Sequence, residues 1–219
     1  MLSVHRQIGR LAKEGAPGPS PSFTTPHILM ALLLLGDKGS LGRKRIAEEL
    51  GLGEGVVRTV IGRLKRHSLV KASRSGCSLT DKGRKLYESL RKRIGEFVEL
   101  AGNMPWGYRY SIGVKVRGMA SLLRMGLEER DAAVRAGADA AMAIAMQGGR
   151  LLMPGVSDLS EEQPSFASMI VSKFKPSDGD VVLIAGSNDK VKALYGALAA
   201  AYELLGRAGQ ASKTSARHR

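Results

Sequence analysis

Cysteine occurs once in the 219 residues, at Cys77, so no internal disulfide can form and a reducing cytoplasm is the compartment that fits. Histidine is almost as scarce. His5, His27, His67 and His218 stand too far apart for any two to show ligand spacing, and no metal site is expected. No histidine lies between His67 and His218, so a Ser/His/Asp or Cys/His set has no base in the second half. Walker, GxGxxG and nucleophile-elbow patterns are missing too, and no cofactor or catalytic residue is expected. The apolar run Ile28 to Leu35 is eight residues long, against the about 20 that a bilayer requires, and it follows a linker rather than opening the chain. Neither a secretory leader nor a membrane partner is expected.

Acidic residues are the next shortage, with 20 Asp and Glu against 34 Lys and Arg, a net charge of +14. Residues 22–98 carry 16 basic and 7 acidic side chains, whereas residues 104–206 carry 11 of each. Basicity therefore belongs to the first half and the tail, as in a polyanion-binding module joined to a domain with another task. Hydrophobic residues make up 43 %, ample for packed cores. The expected organisation is an arm and Pro/Gly linker over 1–25, a first domain over 26–101, a second over 104–206 and a basic tail over 207–219, disordered from Gln210.

What is present in the first half is a helix-turn-helix pattern. Ile46, Ala47 and Leu50 sit at helical spacing and stop at Gly51. Val57, Val60, Ile61 and Leu64 then repeat at i, i+3, i+4 and i+7, the stripe of an amphipathic helix. A short ribbon through Lys71, Arg74 and Cys77 completes a winged helix-turn-helix, whose second helix enters the major groove. Opposite its stripe lie Gly55, Thr59, Gly62 and Arg66, flanked by Arg58 and Arg63. The two glycines keep this face low. Arg43, Lys44, Arg63, Arg66, Lys71 and Arg74 are the expected phosphate contacts, and Arg58 with Thr59 the expected base readers. The plainer reading is a solvated basic face in a protein–protein module. After the ribbon, Leu86, Leu90, Ile94, Phe97 and Val98 predict one long helix from Lys82 to about Leu100, and Trp106 is expected to anchor an interdomain contact.

From Tyr108 the periodicity changes. Tyr110 to Val116 alternates like a half-exposed strand, Gly118 to Ala136 reads as a helix, and Ala138 to Met153 reads as a hairpin around Gly148-Gly149. Phe166 to Phe174 is helical, Val181 to Ala185 has the unbroken apolar character of a central strand, and Asp189 to Leu205 is a helix rich in alanine. The expected class is α+β: a winged helix plus a small α/β domain in the order β-α-β-β-α-β-α. Two features invite a ligand. Arg130 and Asp131 fall on the expected buried stripe of Met119, Leu122, Leu123, Leu127 and Val134, where a charge needs a partner. With Arg117 they point to a small anionic metabolite, while an internal ion pair is the simpler alternative. The turn Gly186-Ser187-Asn188-Asp189 offers a helix N-terminus to an anion, unless Ser187 or Asn188 is an ordinary cap.

Residues 26–98 resemble the winged-helix domains of multiple-antibiotic-resistance-type and arsenical-type repressors. Together with Gly118, Gly126-Leu-Glu-Glu-Arg-Asp131, Gly137-Ala-Asp139 and Gly196-Ala-Leu-Ala-Ala200, the pattern resembles an archaeal family of winged-helix regulators whose C-terminal domain has no assigned function. The resemblance implies a regulator of the archaeal cytoplasm and supplies no ligand. With the basic helix face, the expected reading is a sequence-specific transcriptional regulator that binds double-stranded DNA as a homodimer, with an effector-binding or dimerising second half. Two rival readings stay open: a metabolic enzyme carrying its own winged helix, and an RNA- or chromatin-binding protein.

Overall fold

The computed structural model describes residues 4–13, 23–102 and 104–215, with side chains as far as residue 208. Most of the expected linker and the last four residues lie outside them. The chain divides into two units after Arg91, and both mix helix with sheet as expected. Among the described residues no helix is long and apolar enough to cross a membrane.

The first unit contains α1 (Val4–Lys13), α2 (Thr25–Lys38), α3 (Arg43–Leu50), α4 (Glu54–Arg66), β1 (Val70–Ser73), β2 (Gly76–Leu79) and α5 (Asp81–Arg91). A reciprocal cap starts α2: the Thr24 side chain takes an N–H of the first turn, and the Thr24 N–H donates to Nδ1 of His27 at 3.0 Å. Eight of its residues are buried, as its nearly all-apolar sequence demands. The stripes of α3 (Ile46, Ala47, Leu50) and α4 (Val57, Val60, Ile61, Leu64) also face inward. Ile8 and Leu11 of α1 are fully buried beside them. The ribbon β1–β2 is antiparallel and is tied to the chain before α3 by Cys77, whose N–H and C=O both bond Leu41 at 2.8 and 3.0 Å. Gly76 permits this approach, since a Cβ there would stand 2.6 Å from the Leu41 carbonyl.

The long helix expected to reach Leu100 ends at Arg91. Ile94–Leu100 forms instead β3, the first strand of the second unit, because its residues pair with Ser111 to Val116 of a later strand, a partnership that local periodicity does not register. Then follow β4 (Tyr110–Val116), a single 3₁₀ turn (Ala120–Leu122), α6 (Leu127–Arg135), β5 (Ala140–Gln147), β6 (Arg150–Met153), β7 (Ser157–Asp158), α7 (Leu159–Glu162), α8 (Pro164–Phe174), β8 (Val181–Ser187) and α9 (Lys190–Ser215). The expected order is present within this series. One antiparallel sheet runs β3-β4-β8-β5-β6-β7. β8 is central, as its apolar run implies, and so is β4, whose supposed solvent face is covered on both sides.

The sheet's two faces are packed differently. Met142, Ile144, Val182 and Ile184 meet Phe166, Ile170 and Phe174 of α8, a layer of large side chains. The opposite face carries Ala143 and Ala145 on β5 and Ala185 beside Val114, Val181 and Leu183, and is covered by α6 and α9, which bring Ala133, Ala193 and Ala197. Gly196 is required there, for a Cβ would stand 2.6 Å from Ala138 Cβ and 3.0 Å from Ala185 Cβ. Trp106 belongs to the second unit, correcting its expected interdomain role: its ring lies over Gly186 and its Nε1 donates to Ser111 Oγ at 2.9 Å. The helix expected over 118–136 is broken by Gly126 in the left-handed region, φ 73°. The tail expected to be disordered from Gln210 continues α9 as helix to Ser215.

Candidate nucleic-acid interface

Packing the apolar stripe of α4 inward leaves Gly55, Arg58, Thr59, Lys65 and Arg66 exposed and Gly62 half-buried on one continuous side. A Cβ at Gly55 or Gly62 would meet nothing within 4 Å, so the helix backbone is open to a close approach along its length. The Thr59 hydroxyl donates to the Gly55 carbonyl at 3.2 Å, which holds its oxygen along the same line. Glycine in a helix costs about 1 kcal/mol relative to alanine, a cost with no compensating contact inside the protein.

Further cations are exposed on the other elements of this unit. Arg43 and Lys44 open α3, Lys71 lies on β1 and Arg74 at the turn of the ribbon, all exposed. Burial pushes the Cys77 thiol up, while the positive charges of Arg43 and Lys65 act against that shift. Arg43 of α3 and Lys65 of α4 therefore both lie near Cys77 of β2. Among the described residues, Arg43, Lys44, Arg58, Lys65, Lys71 and Arg74 have no carboxylate within salt-bridge distance. Arg45 contrasts with them, paired to Glu48 and Glu49 at 3.3 and 2.7 Å. Uncompensated cations raise the positive potential of a surface, which attracts a polyanion.

One expected contact is displaced. Arg63 is 5 % exposed and its guanidinium donates to the carbonyls of Leu11 and Ala12 at 2.9 and 2.7 Å, with the Phe23 ring 4.7 Å away. It closes the C-terminal end of α1 and cannot reach a phosphate. The helical wheel placed Arg58 and Arg63 as equivalent flanks of α4, and only the docking of α1 on one flank separates them. Lys65, on the other flank beside Arg58, was missed for the same reason.

The five residues expected to hold an anion do not converge. Arg117 follows β4 where Val116 pairs Val181, whereas Ser187 pairs Tyr110 at the other end of the same strands, roughly 20 Å away at strand rise. Arg130 and Asp131 are each 57 % exposed, 4.0 Å from one another; of the stripe assigned to them Met119 and Leu123 are buried, but Leu127 and Val134 on α6 are turned to solvent. The buried charge of α6 is Glu129. Its Oε1 lies 3.2 Å from Arg207 of α9, yet neither carboxylate oxygen receives an aligned hydrogen bond, and burial pushes its pKa up. Arg207, assigned by sequence to the tail, also reaches Glu128 at 2.9 Å and the Leu122 carbonyl at 3.1 Å. At the helix N-terminus the cap is Asp189, accepting from Val191 N–H at 2.8 Å, so a carboxylate of the protein already occupies the position proposed for an anion. Ser187 is instead buried and donates to Asp139 at 2.6 Å, while Asn188 accepts from the Arg109 N–H at 3.1 Å. Among the described residues no group of three or more His, Cys, Asp or Glu is placed to hold a metal ion.

Residues 25–85 match the model described as PH0730-like, N-terminal domain, and residues 108–204 match a domain of unknown function, DUF4443. Hypothetical protein PH0730 from Pyrococcus horikoshii OT3 is similar in structure, with 29 % identity and a TM-score of 0.64 over 85 % of this chain and 100 % of that one. None of the curated proteins matches the chain. The division between the two matched segments follows the change from the basic to the neutral half.

Proposed function

We propose that the first unit is a winged helix-turn-helix that reads duplex DNA, and that the chain is a homodimeric transcriptional regulator whose second unit serves assembly. The observation that carries the reading is the outer side of α4: two glycines, a threonine and the exposed Arg58, Lys65 and Arg66, with further exposed cations on α3 and the ribbon that have no carboxylate within salt-bridge distance among the described residues. The third strand-like bridge at Leu41 and the ribbon after α4 are the elements a wing requires. Phosphate contacts fall to Arg43, Lys44, Lys65, Arg66, Lys71 and Arg74, and base contacts to Arg58 and Thr59. The scattering of Arg117, Arg130, Asp131, Ser187 and Asn188 supports no metabolite site.

The test is binding of the full chain to duplexes selected from a random pool, followed by anisotropy at several salt concentrations. Each lost phosphate contact, Lys44→Ala or Lys71→Ala, is expected to lower the salt slope by about one unit. Arg58→Ala is expected to reduce discrimination between selected and random duplex by about 1–3 kcal/mol. Equal effects of Arg58→Ala and Lys44→Ala on both duplexes would reject the assignment of Arg58, and stronger competition by structured RNA than by duplex DNA would reject the DNA reading.

A further inference from the structure

Helix α6 is built inside out. Its buried side holds Glu129, Ala132 and Ala133, while Leu127, Arg130, Asp131 and Val134 lie along one exposed line, the two apolar residues 51 % and 49 % exposed. Met125, 51 % exposed, lies over Gly155 and joins this line to Val156, 69 % exposed. Leucine and valine turned to water at the two ends of a short helix, with opposite charges between them, form a pattern with its own internal symmetry. Positions 127 and 134 are equidistant from the point between 130 and 131.

We propose that this face binds a second copy of the chain about a two-fold axis through the midpoint of Arg130 and Asp131. In such an antiparallel pair of α6 helices, Leu127 meets Val134 of the second copy and Arg130 meets its Asp131, twice over. Charge complementarity singles out a copy of the same chain as the occupant, because the surface is the complement of itself. The nine residues of α6 span only about 13 Å, so Met125 and Val156 are needed to widen the contact, and a dimer at the weak, reversible end of interfaces is expected. The inference rests on the homodimer part of the proposed function and is independent of DNA.

Sedimentation velocity of the full chain over a range of concentrations tests it, using Arg130→Glu, Asp131→Arg and their equimolar mixture. Both substitutions are at exposed positions, and circular dichroism melts are expected to match the original chain. The original mass is expected to rise from one chain towards two. Each single variant places like charges together twice and should raise the dissociation constant by about tenfold or more. The mixture should restore the original midpoint, since each reversed charge then faces its opposite. A dimer unaffected by either variant overturns this surface and leaves the homodimer standing; a chain that stays monomeric throughout overturns both. Weakening without rescue in the mixture rejects the two-fold arrangement.

Discussion

Helices α4 and α6 have similar sequence patterns and opposite fates. Both carry apolar residues at helical spacing with basic residues beside them. α4 buries its stripe, with Val57, Val60 and Leu64 fully enclosed, and presents its cations. α6 exposes Leu127 and Val134 and encloses a carboxylate. The surface each helix lies on accounts for the difference. α4 meets helices with large aliphatic side chains, whereas α6 lies on β5 and α9, whose alanines and glycines permit an approach too close for leucine. An amphipathic pattern identifies the two sides of a helix; the surface beneath decides which is the inside.

The strongest test of this contrast is a pair of truncations. Leu64→Ala is expected to cost about 2–5 kcal/mol in denaturant unfolding, and Leu127→Ala no more than about 0.5. Comparable losses would mean that α6 is packed the other way round.

Two arginines, part-buried Arg207 and buried Arg63, sharpen the comparison further. Arg207→Ala leaves Glu129 enclosed without its counter-charge and should destabilise by about 3 kcal/mol, much of it recovered when Glu129→Gln is added. The Glu129 pKa is raised above its ordinary value by burial, so its favourable contribution is present below pH of about 4.5 and is lost as pH rises through the folded-state value. Stability of the Arg207→Ala chain should therefore fall more steeply with rising pH than that of the double variant. Arg63→Ala should cost about 2 kcal/mol through the two carbonyls of α1 yet leave the salt slope of DNA binding unchanged. Arg58→Ala should do the reverse, with unfolding free energy within about 0.5 kcal/mol of the original. If both arginines alter the slope alike, Arg63 is not the anchor of α1.

The smallest expected effect concerns His27. Burial lowers its pKa, and its Nδ1 accepts from Thr24, so the neutral ring is the one that caps α2. Its contribution is present above pH of about 6.5 and is lost as pH falls towards the folded-state value. His27→Gln keeps the acceptor without the titration and should remove a slope worth about 0.5–1 kcal/mol between pH 7 and 5. A slope that persists in the variant would place its origin elsewhere.

Much of the first unit was legible because its elements are local. The glycine stop at Gly51, the stripes of α3 and α4 and the ribbon around Arg74 are each defined by residues within a few positions of one another. The basic face was legible for the same reason, apart from Arg63. Its partners are 51 and 52 residues away, in a helix whose docking leaves no trace in the periodicity of α4. The ligand candidates of the second half failed on a different ground. Arg117 and Ser187 were judged by residue type and by the turn each occupies, but antiparallel pairing of β4 with β8 sends them to opposite ends of the sheet.

By itself the sequence determined where most of the helices and strands lie, that β8 is central, and that positive charge concentrates in the first half. These follow from side-chain period and composition, which act over one or two turns of chain. Tertiary structure alone decided that 94–100 joins a sheet, that Arg63 is a clamp while Arg58 has no carboxylate beside it among the described residues, and that α6 turns its leucine outward. Each depends on what lies across a contact from distant chain, and a close-packed layer of alanine and glycine accepts only the side of a helix that fits it.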